Sequence, residues 1–479
     1  MNRLLEFLES KYFQIIFVFI IITYTTSDYI FDPLTHMTTA NVFPGIAPHL
    51  ELGVPYKDYW DVYPPGIYLF YYLLYFVGKD FQLSYIITHI LVLTFTIIIA
   101  YNLSKYFKNG RLIFLFGVIY FLSPLYIDYL MINDLIALFF SYLGLICFLK
   151  LENRKKYIIS NFLMTFAFFV KETLIFAALS ILVLQLLQKD YKNIGLSVLG
   201  TLLGVLLVFI YSFYFSIEQF VIESYLNKIQ LFDFIEILTR YSVVFLAVVL
   251  IFTFNRKKRF SKYSINLSEP EKLIYLHSLL LIISFYAIGK DDGGHFDIPK
   301  IFATFFLLSI FINKKKNFVG LVLMLLISSY YLKINHSIFS YTIIEPNINV
   351  ENFDKSRQTE TSYVETLNNM DNNVLYLYGW GSTSFFYNYE VKPYTKFWLV
   401  HPQILSDEQI SELKDTILAN PPLLIHYCGF YDNCPAGFDF SEFESRYINF
   451  RYLISECYVN LQGPFYELKN NACVKGLNF

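Results

Sequence analysis

Hydrophobic runs of roughly 20 residues follow one another through the first 334 positions of the chain and then stop. A helix needs about 20 apolar residues to cross a bilayer, so the pattern predicts a series of spanning helices over 1–334. The first run, Tyr12 to Thr26, is followed by no small-residue cleavage site and is read as a retained span rather than a removed signal. After Lys333 the pattern becomes polar. There "NVLYLYGW" (373–380), "YTKFWLV" (394–400) and "PLLIHYC" (422–428) predict short buried strands, and "DEQISELKDTILAN" (407–420) predicts a capped amphipathic helix. The expected organisation is a polytopic helical membrane domain over 1–334 and a small α/β domain over 335–479.

Charge between the runs sets the expected topology, because short basic loops stay in the cytoplasm. Basic connectors occur at 105–111, 152–156, 188–193, 255–262 and 313–317, and the connectors between them are acidic, tiny or amphipathic. Alternation is complete with about 11 crossings, provided that Val62 to Gly78 does not cross. A crossing there would carry Lys105, Lys108 and Arg111 to the outside. The segment is therefore expected to be a re-entrant or interfacial helix, with Pro64 and Pro65 in its first turn, where a missing N–H costs nothing, and its aromatic side chains at headgroup level. An ordinary second span with one exception to the charge rule is the alternative.

Composition agrees with a membrane protein. Of 479 residues, 56% are hydrophobic, 20% aromatic and only 16% charged, too apolar for a soluble domain of this length. The net charge of -2 gives no basic field for nucleic acid. An odd number of crossings from a cytoplasmic N-terminus places the C-terminal domain outside the cell membrane. Cys428, Cys434, Cys457 and Cys473 lie in that domain and Cys147 in a span, a distribution that suits an oxidising compartment and leaves two disulfides open. Their spacings contain no CxxC pair, which argues against zinc.

The unusual polar residues of the membrane region fall on the expected outer side. Asp28 and Asp32 close the first span, and Lys57, Asp58 and Asp61 precede the 62–78 segment. Asp128 and Asp134 flank the next outer turn, Lys171 and Glu172 interrupt "FAFFVKETLIFAAL", and His295 sits in "GKDDGGHFDIP". Ionisable groups at membrane depth are costly unless they face a polar cavity, so the Lys171/Glu172 break stands out. A salt bridge capping two half-helices accounts for the same pair. Asp32, followed by Pro33, equally suits the N-cap of "PLTHMTTA".

The first-loop aspartates, the "GVPYKDYWDVYPPG" segment, the "FFVKET" break and the "HFDIP" start of a late span together resemble the GT-C glycosyltransferases of the protein mannosyltransferase and aminoarabinose transferase type. The similarity covers most of 1–334 and rests on order and spacing. Family members often show two adjacent acids after the first span, whereas Asp28 and Asp32 are four positions apart here.

The resemblance implies transfer of a sugar from a polyprenyl-phosphate donor to a glycan, lipid or protein acceptor on the extracytoplasmic face. By carry-over from the family's lysine and histidine positions, Lys171 and His295 are the phosphate-binding candidates, with Lys290, Lys300 and Arg240 behind them. Asp32 is the candidate base, Asp28 the second and Asp58 the third. Lys57, Asp61 and Glu172 complete the expected substrate-binding set. A carboxylate on the water side would take a proton from the acceptor hydroxyl while cations stabilise the leaving phosphate. Magnesium or manganese is a possible addition with no ligand set identified. A transporter or lipid flippase without chemistry is the competing class, and it is opposed by the lack of internal repeats and the one-sided placement of the polar residues. In the outer domain, "YGWGSTS" (378–384) lacks the spacing of a nucleotide-binding loop.

Overall fold

The computed structural model describes residues 10, 12–16, 18–19, 47, 52–53, 55, 58–59, 64–78, 81–107, 110, 114, 132–171, 174, 176–212, 268–287, 374–377, 392–397, 407–427, 450–462 and 465–475. Among the described residues of the N-terminal 334 positions, the helices include α1 (Pro65–Gly78), α2 (Phe81–Ser104), α3 (Ile132–Lys150), α4 (Lys155–Val170), α5 (Leu179–Gln188), α6 (Tyr191–Ser212) and α7 (Glu269–Ala287). The expected first span, Tyr12 to Thr26, is described only at 12–16 and 18–19, and residues 213–267 and 288–334 lie outside the described residues.

Helix lengths follow the sequence breaks. Pro65 opens α1, and the 14 residues of that helix extend about 21 Å at 1.5 Å per residue, short of the roughly 30 Å hydrocarbon core. Counting described residues alone, no helix is long and apolar enough to cross a membrane. α2 with 24 residues and α6 with 22 reach crossing length along the backbone, although several of their side chains lie outside the described set.

Packing orders the helices by end. Lys150 Nζ donates to Asn102 Oδ1 at 2.8 Å, joining the last turns of α2 and α3. Phe148 meets Tyr157 edge to face with ring centroids 5.5 Å apart, joining α3 to the start of α4. The Tyr157 hydroxyl donates to Asp190 Oδ2 at 2.9 Å, and Gln188 Nε2 donates to Glu269 Oε2 at 2.7 Å. The helix ends next to residues 105–107, 152–156 and 188–193 are thereby brought to one end of the described helices. Asp190 also accepts from Asn193 Nδ2 at 2.9 Å. Its carboxyl is held below the usual value by the Asn193 bond first, then by the Tyr157 bond and the charges of Lys156 and Lys192.

α4 and α6 run parallel in close contact. A Cβ on Gly200 would collide with the Ile158 carbonyl, and one on Gly204 would come within 2.9 Å of Thr165 Cβ. The G-x-x-x-G spacing thus sets how near the two backbones come, the arrangement used where helices associate in lipid. On the opposite face of α6, Leu202 is 58% exposed and Leu206 52%, with Val198, Leu199, Leu203, Phe209 and Ile210 also open among the described residues. This apolar face of α6 has no cover among the described residues.

The C-terminal domain contains β1 (Val374–Leu377), α8 (Asp407–Ala419), β2 (Leu424–Tyr427), α9 (Phe450–Cys457), β3 (Tyr458–Gln462), β4 (Phe465–Leu468) and α10 (Asn471–Lys475). The sheet order is β1-β2-β4-β3, with β1 and β2 parallel and the remaining pairs antiparallel. A crossover is obligatory between parallel neighbours, and α8 lies within it, with Ile410, Leu413 and Ile417 buried in the core. Cys457 and Cys473 form a disulfide with Cα atoms 5.6 Å apart, and Cys428 and Cys434 lie outside the described residues. Of the strand expected at 394–400, residues 394–397 are described and 398–400 lie outside the described residues. Pro393 makes a single bridge to Val374, residues 394–396 bend away, and the Tyr394 hydroxyl donates to the Thr416 and Asn420 carbonyls on α8.

Candidate functional site

The segment that begins "GVPYKDYWDVYPPG" brings Pro55 and Tyr59 together before α1 begins. Gly53 takes a positive φ of 92°. The Asp58 carboxylate lies directly against the Gly53 α-carbon, so any Cβ there would strike it. Tyr72, one turn into the second half of α1, donates its hydroxyl to the Gly53 carbonyl at 3.2 Å. The Tyr59 and Tyr68 rings pack 6.1 Å apart. Burial raises the Tyr72 phenol above its ordinary value, a hydrogen bond with Tyr59 opposes this, and the Asp58 charge adds to the rise. Two tyrosines on α1 thus hold the loop down while the Asp58 side chain remains exposed to solvent.

That loop and the Lys171 break meet through backbone. A Cβ on Gly66 would sit 2.6 Å from the Phe169 carbonyl oxygen and 2.9 Å from the Val170 nitrogen. Only glycine allows the first turn of α1 to rest on the last turn of α4. Aromatic contacts continue the joint, with Phe70 to Phe140 at 6.4 Å and Phe140 to Phe166 at 4.8 Å. The joint lies at the end of the bundle opposite the basic connectors, because α4 runs away from Tyr157 and Asp190 toward Val170.

Lys171 ends α4. Its N–H still donates to the Ala167 carbonyl at 3.0 Å, while its backbone turns extended at φ -150°, ψ 124°. The residue is only 3% exposed, so the cation belongs to a protein-lined environment and not to a solvated loop. The chain then winds tightly, with Leu174 N–H to Lys171 carbonyl at 3.2 Å, Ala177 to Leu174 at 3.0 Å and Ser180 to Ala177 at 3.3 Å. α5 follows with 10 residues, so the segment is a short half-helix behind a break.

Of the residues singled out in the sequence, Asp58 and Lys171 are placed, and their two segments are brought to one end of the bundle. Asp28, Asp32, Lys57, Asp61, Glu172, Arg240, Lys290, His295 and Lys300 lie outside the described residues. Among the described residues no three His, Cys, Asp or Glu side chains gather as a metal site.

Set against known protein families, curated proteins and solved structures, the chain finds no match.

One polar cluster has no counterpart in the sequence reading. His277 of α7 is fully buried, with Nε2 2.9 Å from Ser141 Oγ on α3 and Nδ1 2.8 Å from Ser180 Oγ on α5. Ser180 Oγ donates to the Ala177 carbonyl at 2.8 Å, so it accepts from Nδ1–H, and Nε2 accepts from Ser141. A neutral ring with its proton on Nδ1 satisfies these contacts together. Tyr142 packs edge to face on the imidazole at 5.2 Å. The available signal was a lone histidine in the apolar run "LIYLHSLLLII", where an ionisable group has to find partners.

Proposed function

We propose that the chain is a GT-C-type membrane glycosyltransferase that moves a sugar from a polyprenyl-phosphate donor to an acceptor at the extracytoplasmic face. The observation that carries this reading is the joint between the "GVPYKDYWDVYPPG" segment and the "FFVKET" break. Gly66 rests on Phe169 and Val170, beside buried Lys171, at the end of the bundle away from the basic connectors. Two stretches far apart in sequence, both part of the family resemblance, thereby share one place.

In this reading the donor lipid lies along the apolar helices, with its phosphate at the depth of Lys171. The anomeric carbon–oxygen bond breaks toward phosphate, whose added negative charge is stabilised by Lys171 and His295. The acceptor hydroxyl oxygen bonds to the anomeric carbon and gives its proton to Asp32, with Asp28 and then Asp58 as the alternatives. Asp58, exposed and braced against Gly53, supports the loop rather than leading the set. α1 forms the wall between water and lipid as an interfacial or re-entrant helix, and the C-terminal domain lies outside as a support or acceptor-binding unit.

The deciding experiment incubates the purified full chain with a panel of labelled polyprenyl-phosphate sugars and follows release of polyprenyl phosphate. Asp32→Asn keeps size and an N-capping oxygen while removing basicity. Turnover is expected to fall roughly a hundredfold or more, with the thermal midpoint and donor affinity near wild type. Near-normal turnover in Asp32→Asn with an inactive Asp28→Asn moves the base to Asp28. No release from any donor overturns the reading.

A further inference from the structure

We propose that His277 is a positioning residue for Lys171: by binding Ser180, it pins the far end of the turn that Lys171 begins, and so couples the lie of the buried cation to α7. The consequence for donor binding rests on the glycosyltransferase reading, whereas the coupling itself rests on the hydrogen bonds alone.

Every link is a named contact. From the Lys171 carbonyl, successive bonds pass to Leu174, from Leu174 to Ala177 and from Ala177 to Ser180, each spanning three residues. Ser180 closes the series twice, through its N–H at 3.3 Å and its hydroxyl at 2.8 Å, both to the Ala177 carbonyl. His277 Nδ1 then fixes that hydroxyl from a helix 97 positions away in sequence. A run of i→i+3 bonds is tighter and poorer in geometry than an α-helix, and short runs mark places where a chain yields. This run has α4 at one end and His277 at the other, so loosening either end frees the turn.

The second ring nitrogen supplies the contrast. Ser141 on α3 bonds Nε2 at 2.9 Å, and α3 is otherwise joined to α4 and α2 without passing through the turn. Losing Ser141 removes one partner of the imidazole yet leaves the His277–Ser180 bond in place. Losing Ser180 removes the side-chain bond between the ring and the turn and leaves only the ring's contact with the Ala177 backbone. A cluster serving only stability would respond alike to both; a positioning device responds to one. Gln in place of His277 offers an amide N–H and a carbonyl, the same donor and acceptor pair, whereas Leu offers neither.

The test reads the Lys171 ε-amine directly. The full-length protein in detergent is treated with a water-soluble acylating reagent well below its thermal midpoint, and modification of Lys171 is followed by mass spectrometry. Modification is expected to rise roughly tenfold in Ser180→Ala and His277→Leu, the scale of losing one buried hydrogen bond that opposes local opening. It should stay near the wild-type rate in Ser141→Ala and in His277→Gln. Equal protection of Lys171 in folded Ser180→Ala and wild type overturns the proposal, as does an equal rise in Ser141→Ala. Polyprenyl phosphate alone, titrated onto the same variants, separates the two readings. If Ser180→Ala exposes Lys171 but Lys171→Ala leaves polyprenyl phosphate affinity unchanged, the coupling stands and the phosphate role of Lys171 fails.

Discussion

Single residues at the loop–helix joint are constrained by backbone, which makes their substitutions informative. Gly53 combines a φ of 92° with the Asp58 side chain against its α-carbon, so a methyl group meets both torsional strain and collision. Gly53→Ala is expected to lower stability by about 1–3 kcal/mol, measured as a drop in thermal midpoint. Adding Asp58→Ala should recover only part of this, because the φ penalty stays. Full recovery in the double variant would assign the whole cost to the carboxylate contact. Lys171 was legible in the sequence because a cation inside "FAFFVKETLIFAAL" has no inexpensive place to go. His277 carried a similar signal in "LIYLHSLLLII", yet its partners, Ser141 and Ser180, are small hydroxyls whose polarity is lost among apolar neighbours. Sequence spacing shows that a buried histidine needs partners; it does not show which hydroxyls, 136 and 97 residues away, fold beside it.

Helices and strands were legible to the extent that their own period decided them. α8 repeats apolar positions at Ile410, Leu413 and Ile417, a helical stripe written in the residues themselves. β1 and β2 are short apolar runs bounded by polar turns. The segment 394–397 reads Tyr-Thr-Lys-Phe; Tyr394 gives its backbone N–H to the Val374 carbonyl and its hydroxyl to the end of α8, and residues 394–396 bend. α9, β3 and β4 follow one another in "FRYLISECYVNLQGPFYEL", where helix and strand differ by tertiary contact, not by period. Between α4 and α6 the signal was the glycine pair. Gly200→Leu should push α6 off Ile158 and lower the thermal midpoint by the equivalent of about 2 kcal/mol or more, and a midpoint near wild type would remove the close contact. At the same end, Asp190 is held below its ordinary value by Asn193, Tyr157 and nearby lysines. A depressed carboxyl adds stability above the unfolded value of about 3.9 and loses it as pH falls through the folded value. The midpoint of wild type should therefore fall more steeply than that of Asp190→Asn as pH is lowered from about 5 toward 3, and parallel curves would show that the three contacts do not hold the carboxylate.

At the scale of the whole molecule, two observations bear on the proposed membrane topology. The helix ends next to residues 105–107, 152–156 and 188–193 are brought to one end of the described helices through the Lys150–Asn102, Tyr157–Asp190 and Gln188–Glu269 contacts, and basic short loops remain cytoplasmic. In the proposed topology the joint of the 53–66 loop with Lys171 lies at the outer end. The C-terminal domain carries the Cys457–Cys473 disulfide, a bond that persists in oxidising compartments and is rare in the cytosol. Closing a loop with a sequence separation of 16 contributes roughly 3 kcal/mol by restricting the unfolded chain, so Cys473→Ser should leave a domain that unfolds earlier than wild type, and reductant should lower the wild-type midpoint toward that of the variant. A reporter that is active only in the cytoplasm, fused after Phe479, should be silent, while the same reporter placed in the 188–193 connector should be active. Silence at 188–193 together with activity after Phe479 would invert the topology. It would place Lys171 and the opening stretch on the cytoplasmic side, where an extracytoplasmic transfer has no acceptor, and the glycosyltransferase reading would lose its site along with its orientation.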